Sequence, residues 1–294
     1  MKTLSLLLCL ISLSGCVGIS YTENDQAKSL NHSGILLVDR PVKPYIESKN
    51  PEKLSPKQYL SKHNVIFASG PSTNEIEPKF VASVKQHNYE YNVTWPDGVT
   101  SKQVSGGSGA AISDDGYIIT AYHCIDRPAI WAFSTVMNNE TTISTRIAKC
   151  RIVFADEEAD FAIVKAPIDT PYFLTVREEP IQKGEVLLAG STINSHGGGK
   201  FLWSNQLRGS SGREFLSFSM SIPMKQGDSG SAVIDSQGRL CGVVTTALRG
   251  RWIVDNLPRS NAILLDAESI LKIIKEDRKA NMASEATAHS RASS

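Results

Sequence analysis

Charge of one sign is what this chain has least of. Its 31 lysines and arginines are offset by 30 aspartates and glutamates, for a formal net charge of +1, and neither sign forms a long run. A nucleic-acid partner needs a basic face to neutralise phosphates, so that class of function is set aside. Long apolar runs are missing after Leu13, so no later segment is expected to cross a bilayer as a helix. Cysteine is scarce as well. Beyond Cys9 and Cys16 there remain only Cys124, Cys150 and Cys241. No two of them stand at the spacing of zinc ligands, and neither a metal nor another cofactor is expected.

What is present at the start reads as an export signal. Lys2 supplies a short positive region, and Leu4 to Leu13 form an apolar stretch too short to span a membrane stably. It ends in Leu13-Ser14-Gly15-Cys16, which resembles the lipobox of bacterial lipoproteins. The resemblance implies cleavage before Cys16, acylation of that residue and a lipid anchor, since two or more acyl chains hold a protein on a membrane far better than one. Val17 stands where an Asp would imply inner-membrane retention, so an outer-membrane lipoprotein is expected, on a face the sequence does not specify. An exported chain meets an oxidising compartment, where Cys124, Cys150 and Cys241 allow one disulfide in any of three pairings, with one thiol left over.

The rest of the chain is long enough for one large domain or two small ones. From Val17 to about Leu30 it is polar, and "GILLVDRPVKPYIESKNPEKLSP" mixes one apolar run with four prolines, so the region to about Gly70 should pack loosely. Strand-like segments then follow one another: "FVASVKQ", "YEYNVTWPDGVTSKQV" with Pro96-Asp97-Gly98 as a hairpin turn, "GAAIS-DDG-YIITAY", "RIAKCRIVF", "FAIVKAP", "GEVLLAG", "EFLSFSM", "SAVIDSQGRLCGVVTTAL" and "WIVDN". So many short strands make an all-β barrel or sandwich. Ser195-His196-Gly197-Gly198-Gly199 reads as a flexible loop. Near the end, "LDAESILKIIKE" offers Asp266 as a helix cap and Ile270, Leu271, Ile273 and Ile274 at helical spacing. The last residues are small and polar and should be disordered.

Chemistry concentrates in three places. Ser229 lies in Gly227-Asp228-Ser229-Gly230, a four-residue pattern that would by itself serve as a turn. A serine hydroxyl becomes a nucleophile only beside a base whose tautomer is fixed by a third group. Of the six histidines, His123 follows a strand directly in "GYIITAYHC", and Asp160 stands where an acidic loop becomes the apolar strand of "EEADFAIVKAP". The other five, His32, His63, His87, His196 and His289, have no comparable setting.

In order and context "GSGAAISDDGYIITAYHC", "ADFAIVKAP" and "QGDSGSAVIDSQGRLCGVV" resemble the three catalytic segments of the chymotrypsin-like serine proteases, the middle one being most similar to the trypsin-2 or HtrA-type branch. The resemblance runs from roughly Gly106 to Ile274. It implies two six-stranded antiparallel β-barrels with the site between them, followed by a C-terminal helix. It implies Ser229 as nucleophile, His123 as base, Asp160 as orienting carboxylate, and the N–H groups of Gly227 and Ser229 as the oxyanion hole. The chain then divides into a signal peptide (1–15), a tether with a loosely packed extension (16–75), the protease domain (76–278) and a disordered tail (279–294). A flexible tether from Val17 to about Leu60 would reach about 35 Å from the membrane.

The departures from the family are equally specific. Animal trypsins pair a free N-terminal ammonium with the Asp before the nucleophile, but here Asp228 lies far from a lipidated Cys16. No cysteine upstream pairs with Cys124 as in those enzymes. Only a short tail follows Lys275, so the PDZ-regulated HtrA assembly is not expected. At the base of the implied primary pocket stand Pro223 and Met224, and its wall would be Thr245, Thr246 and Ala247. None carries charge, so a small or apolar residue before the scissile bond is expected. The function implied is a lipid-anchored serine endopeptidase acting on envelope or extracellular proteins. A catalytically silent lipoprotein that binds or assembles through the same fold is the alternative. An esterase is disfavoured because a G-x-S-x-G elbow requires Gly two positions after the serine, where Ser231 stands.

Overall fold

The structure is a computed structural model that describes residues 43–44, 64–70, 79–85, 88–95, 99–137, 143–170, 172–190, 195–224, 227–245, 260–264 and 266–292. In chain order its strands begin with β1 (Lys43–Pro44), β2 (Asn64–Gly70), β3 (Lys79–Lys85), β4 (Asn88–Thr94), β5 (Ser105–Ala111), β6 (Tyr117–Thr120), β7 (Ala129–Met137) and β8 (Ile143–Asp156). They continue with β9 (Phe161–Lys165), β10 (Tyr172–Phe173), β11 (Val186–Gly190), β12 (Ser195–Arg208), β13 (Glu214–Met220), β14 (Ala232–Asp235), β15 (Leu240–Thr245) and β16 (Ser260–Leu264). A single described α-helix, α1 (Ala267–Ala292), closes the order.

Two closed six-stranded barrels carry the molecule, in the orders β2-β5-β6-β9-β8-β7 and β11-β12-β13-β16-β15-β14. Closure leaves no unpaired strand edge in either barrel, which is how antiparallel sheets avoid edge-to-edge association. Three apolar cores result. Val65, Phe67, Ile118, Ile130 and Val164 fill the first barrel, and Leu187, Phe218, Met220, Val233 and Val244 fill the second. The third lies between them: Ile119, Phe161 and Ile163 of the first barrel meet Ile234, Leu240 and Val243 of the second, with Ile270 and Ile274 of α1. β6 shows the consequence for sequence. Ile118 belongs to the interior core and Ile119 to the shared one, so the strand is buried on both faces and reads as a continuous apolar run.

Helix α1 is fastened at its middle by charge. Asp277 accepts from the Tyr117 hydroxyl at 2.7 Å and receives both guanidinium nitrogens of Arg151 at 2.8 and 2.5 Å. Arg278 donates to Asp115 at 2.7 Å. Burial alone would raise the Asp115 carboxyl, but the bonds from Arg278 and Ser113 bring it down to about 2.

Four expectations from the sequence are corrected. The protease-like domain does not begin at residue 76: β2 pairs with both β5 and β7, and Val65 to Ala68 are buried. Four successive apolar positions can occupy a closed barrel strand with no polar alternation to mark it. Pro96-Asp97-Gly98 lies outside the described residues, but the strands on either side are not hairpin partners, since β4 pairs with β3 and β5 with β2 and β6. The Ser195–Gly199 stretch opens β12 and pairs with β11. There Gly199 runs so close to the neighbouring chain that a Cβ would stand 2.5 Å from Ile222. Finally, α1 continues to Ala292 through the expected disordered tail. Ala280, Met282, Ala283, Glu285, Ala286 and Ala288 are residues that lose little on entering a helix.

Of the expected signal peptide and tether, residues 1–42, 45–63 and 71–75 lie outside the described residues, and Cys16 with them. Lys43 and Pro44 pair in parallel with Tyr172 and Phe173 of the connection between the barrels. "WIVDN" also falls outside them. No disulfide joins Cys124, Cys150 and Cys241, so the one that the sequence allowed is not formed among them.

Candidate active site

His123 sits on a one-turn 3-10 segment, Tyr122–Cys124, that ends β6. The turn is closed by the Cys124 N–H donating to Ala121 at 3.1 Å and that of Ile125 to Tyr122 at 2.9 Å. Buried Cys124 anchors it in the first core, which turns the His123 side chain toward Asp160. Its Nδ1 lies 2.8 Å from Asp160 Oδ2 and 2.9 Å from Oδ1, and its backbone N–H donates to Oδ1 at 3.0 Å. A carboxylate on Nδ1 holds the proton on that nitrogen, leaving Nε2 as the basic one.

Asp160 is 2 % exposed and is reached by a turn built for the purpose. Asp156 Oδ1 accepts the Ala159 N–H at 3.0 Å, and the Asp160 N–H donates to the Glu157 carbonyl at 3.3 Å. Among the described residues Asp160 is the one non-glycine with positive φ, at 53°. That conformation costs energy for a residue with a side chain, and it aims the carboxylate inward. Thr245, at the end of β15, donates its hydroxyl to Asp160 Oδ2. A buried charge is tolerated only when its acceptor sites are filled; here the His123 ring, the His123 N–H and Thr245 fill them.

Ser229 stands on a tight turn before β14, with Gly227 and Gly230 at φ 93° and 82°. The Ser231 N–H and hydroxyl both donate to the Asp228 carbonyl, at 2.9 and 2.6 Å. The first barrel clamps this turn from the opposite side. The Ser108 N–H donates to the Ser229 carbonyl at 2.8 Å, and the Ser108 hydroxyl to the Gly227 carbonyl at 2.8 Å. Cys124 Sγ approaches the same Ser229 carbonyl at 3.5 Å. The residue beside His123 therefore touches the backbone of Ser229 directly, although 105 positions separate them.

Among the implied pocket residues, Pro223 is exposed and Met224 half-buried, Met224 packing on the second-barrel core. Thr245 is buried and its hydroxyl is engaged with Asp160. Thr246 and Ala247 lie outside the described residues. Asp228 is fully buried. Among the described residues no group of His, Cys, Asp and Glu could hold a metal ion. Sequence reasoning missed one contributor, Ser108. Ser108 stood inside a quoted motif but gave no sign that it would grip Gly227 from the other barrel.

Comparison with known proteins agrees with this frame. Residues 107–243 match the trypsin-like peptidase domain family. The curated uncharacterized protein y4bJ of Sinorhizobium fredii (strain NBRC 101917 / NGR234) is 28% identical over 172 residues, covering 56% of this chain. The chain spans only 26% of that relative's length. Among solved structures, the active form of the Rv3671c protease from M. tuberculosis is 17% identical, covers 79% of this chain and 89% of that one, and gives a TM-score of 0.49. The inactive form is 20% identical, covers 58% and 83%, and gives 0.44. The matched segment runs from β5 into β15 and takes in the carriers of His123, Asp160 and Ser229, so it is this part of the two closed barrels that is similar to a trypsin-like peptidase domain.

Proposed function

We propose that the protein is a serine endopeptidase, lipid-anchored at Cys16 to the outer membrane, that hydrolyses peptide bonds of envelope or extracellular proteins through His123, Asp160 and Ser229. The observation that carries this reading is the pairing of the His123 ring with the buried, left-handed Asp160 carboxylate. Opposite it, the Ser229 turn is gripped by Ser108 and Cys124 of the first barrel. In the reaction, Ser229 Oγ attacks the substrate carbonyl carbon as its proton passes to His123 Nε2. The oxyanion forms at the N–H groups of Gly227 and Ser229, donors of a kind typically worth about 3 kcal/mol. His123 then hands the proton to the departing amine, and water repeats the sequence to release the acid. Asp160 orients the imidazole and steadies the imidazolium. With uncharged Pro223, Met224 and Thr245 about the implied primary pocket, a small or apolar residue before the scissile bond is favoured.

The test is reaction of the purified full chain with a fluorophosphonate probe, in which the serine oxygen displaces fluoride from phosphorus. Wild type should label, and Ser229→Ala and His123→Ala should not. Failure of the folded wild type to label overturns the reading in favour of a binding module on the same fold. The anchor is tested separately. An alkyne fatty acid fed to expressing cells should enter the chain and be lost in Cys16→Ser.

A further inference from the structure

Ahead of Asp160 the chain carries a half-buried carboxylate, Glu158. Its Oε1 accepts the Ser211 N–H and the Ser210 hydroxyl, each at 2.6 Å, and its Oε2 accepts the Ser211 hydroxyl. These three bonds, Ser210 first, bring the Glu158 carboxyl down to about 2, so it is ionised across any working range. Ser210 and Ser211 form the tip of the β12–β13 hairpin, which belongs to the second barrel. Gly209 lies against the same carboxylate, and a Cβ there would stand 2.5 Å from Oε2. A second tie runs beside it, from the Arg213 guanidinium to Asp156 Oδ2. Asp156 Oδ1 in turn accepts the Ala159 N–H. Both ties hold the turn whose last residue is Asp160.

We infer that Glu158 is a positioning residue: by gripping the hairpin tip of the second barrel it fixes the left-handed turn that presents Asp160 to His123. The turn needs an external hold, because Asp160 occupies a backbone conformation that its own side chain disfavours. Without the clasp the turn relaxes toward negative φ, and the carboxylate swings away from the imidazole. A displacement of that size, made away from the reacting atoms, typically costs a hundredfold or less in rate. This rests on the serine-protease reading for its kinetic consequence, though not for its structural one.

The experiment therefore has two readouts. The first is the downfield proton resonance of the His123 Nδ1–H facing Asp160, recorded on the full chain and assigned with His123→Gln. It does not require turnover. The second is kcat and KM on a peptide substrate. Glu158→Ala should broaden or erase the resonance and lower kcat about tenfold to a hundredfold, with KM nearly unchanged. Glu158→Gln should restore both. Its amide oxygen still accepts the Ser211 N–H, while its nitrogen donates to a Ser211 hydroxyl free to rotate. Ser211→Ala, a change in the other barrel, should weaken the same signals in the same direction. An unchanged resonance in Glu158→Ala, or a loss that Glu158→Gln does not repair, overturns the inference. A wild type that shows the resonance but turns over no substrate overturns the protease reading instead, and the resonance still decides the role of Glu158.

Discussion

The hydroxyl of Thr245 donates to the same Asp160 oxygen that faces the His123 ring. A strand of the second barrel thereby completes the environment of a carboxylate carried by the first. Removing the hydroxyl while keeping the shape tests its contribution. Thr245→Val leaves a buried carboxylate oxygen one donor short, and hydrogen bonds to charged groups contribute about 1.5–3 kcal/mol. The expected outcome is a kcat about tenfold lower, since roughly 1.4 kcal/mol corresponds to a factor of ten. KM and the far-ultraviolet spectrum should hold. Steady-state kinetics with a thermal melt check it; a loss confined to KM would place Thr245 in substrate binding instead.

How much of this was legible in the sequence depends on which face of a strand carried the information. His123, Asp160 and Ser229 could be picked out because each lies where an apolar strand meets a turn, in segments with distinctive neighbours. The β5–β6 and β14–β15 hairpins were readable for the same reason, their turns being marked by Asp-Asp-Gly and Ser-Gln-Gly. β2, β7 and β12 were not. Val65 to Ala68 and Ala129 to Phe133 are buried throughout, so no alternation separates strand from helix, while β12 carries three successive glycines, Gly197 to Gly199, near its start. The contacts of Ser108, Thr245 and Glu158 were beyond reach because each joins one barrel to the other. Nothing local in "GGSGAA", "VVTTAL" or "DEEAD" shows which side chain will meet a partner 85 or 119 positions away.

The thiols give a second prediction. Burial pushes Cys150 and Cys241 up to about 12, Asp235 adding to the effect at Cys241, so the nucleophilic thiolate is nearly absent in the native state. Iodoacetamide at pH 8 should leave both unmodified in the folded protein. After unfolding in guanidinium with no reductant, Cys124, Cys150 and Cys241 should all alkylate, as expected of free thiols. Peptide mass mapping reads the result, and two sites that stay blocked until a reductant is added would reveal a disulfide.

A third prediction concerns the seam beneath the Ser229 turn. A Cβ on Gly107 would stand 2.2 Å from Cys124 Sγ and 2.8 Å from the Ser229 carbonyl oxygen, so Gly107→Ala must displace the turn or the residue beside His123. Overpacking of this kind typically costs about 1–3 kcal/mol. The variant should melt earlier and label weakly at Ser229. Adding Cys124→Ala removes the nearer clash while leaving the carbonyl contact. The double variant should therefore recover part of the stability and of the labelling, a non-additivity that a double-mutant cycle measures.

The last prediction concerns the fastening of α1, and its sign differs at the two ends of the pH scale. Tyr117 is 1% exposed. Burial first, and then its hydrogen bond to Asp277, raise its phenol to about 12 from an ordinary 10.0. A raised value means that the folded state favours the neutral phenol. Its stabilising contribution is whole below pH 10 and fades as the pH climbs through about 12. Asp277 behaves in the opposite sense. The Arg151 guanidinium, helped by Tyr117, holds its carboxyl below the ordinary 3.8. Its contribution is therefore whole above that value and is lost as the pH falls beneath it. Burial also raises the Tyr122 phenol, so ultraviolet titration should show late components to which Tyr117 contributes and which Tyr117→Phe diminishes. Asp277→Asn should reduce the acid-side loss, leaving the share of other lowered carboxylates such as Asp115, while lowering stability at neutral pH, and Arg151→Ala should follow it. An Asp277→Asn variant whose melting temperature still falls below pH 3.8 as steeply as the wild type would show that other carboxylates govern the acid limb.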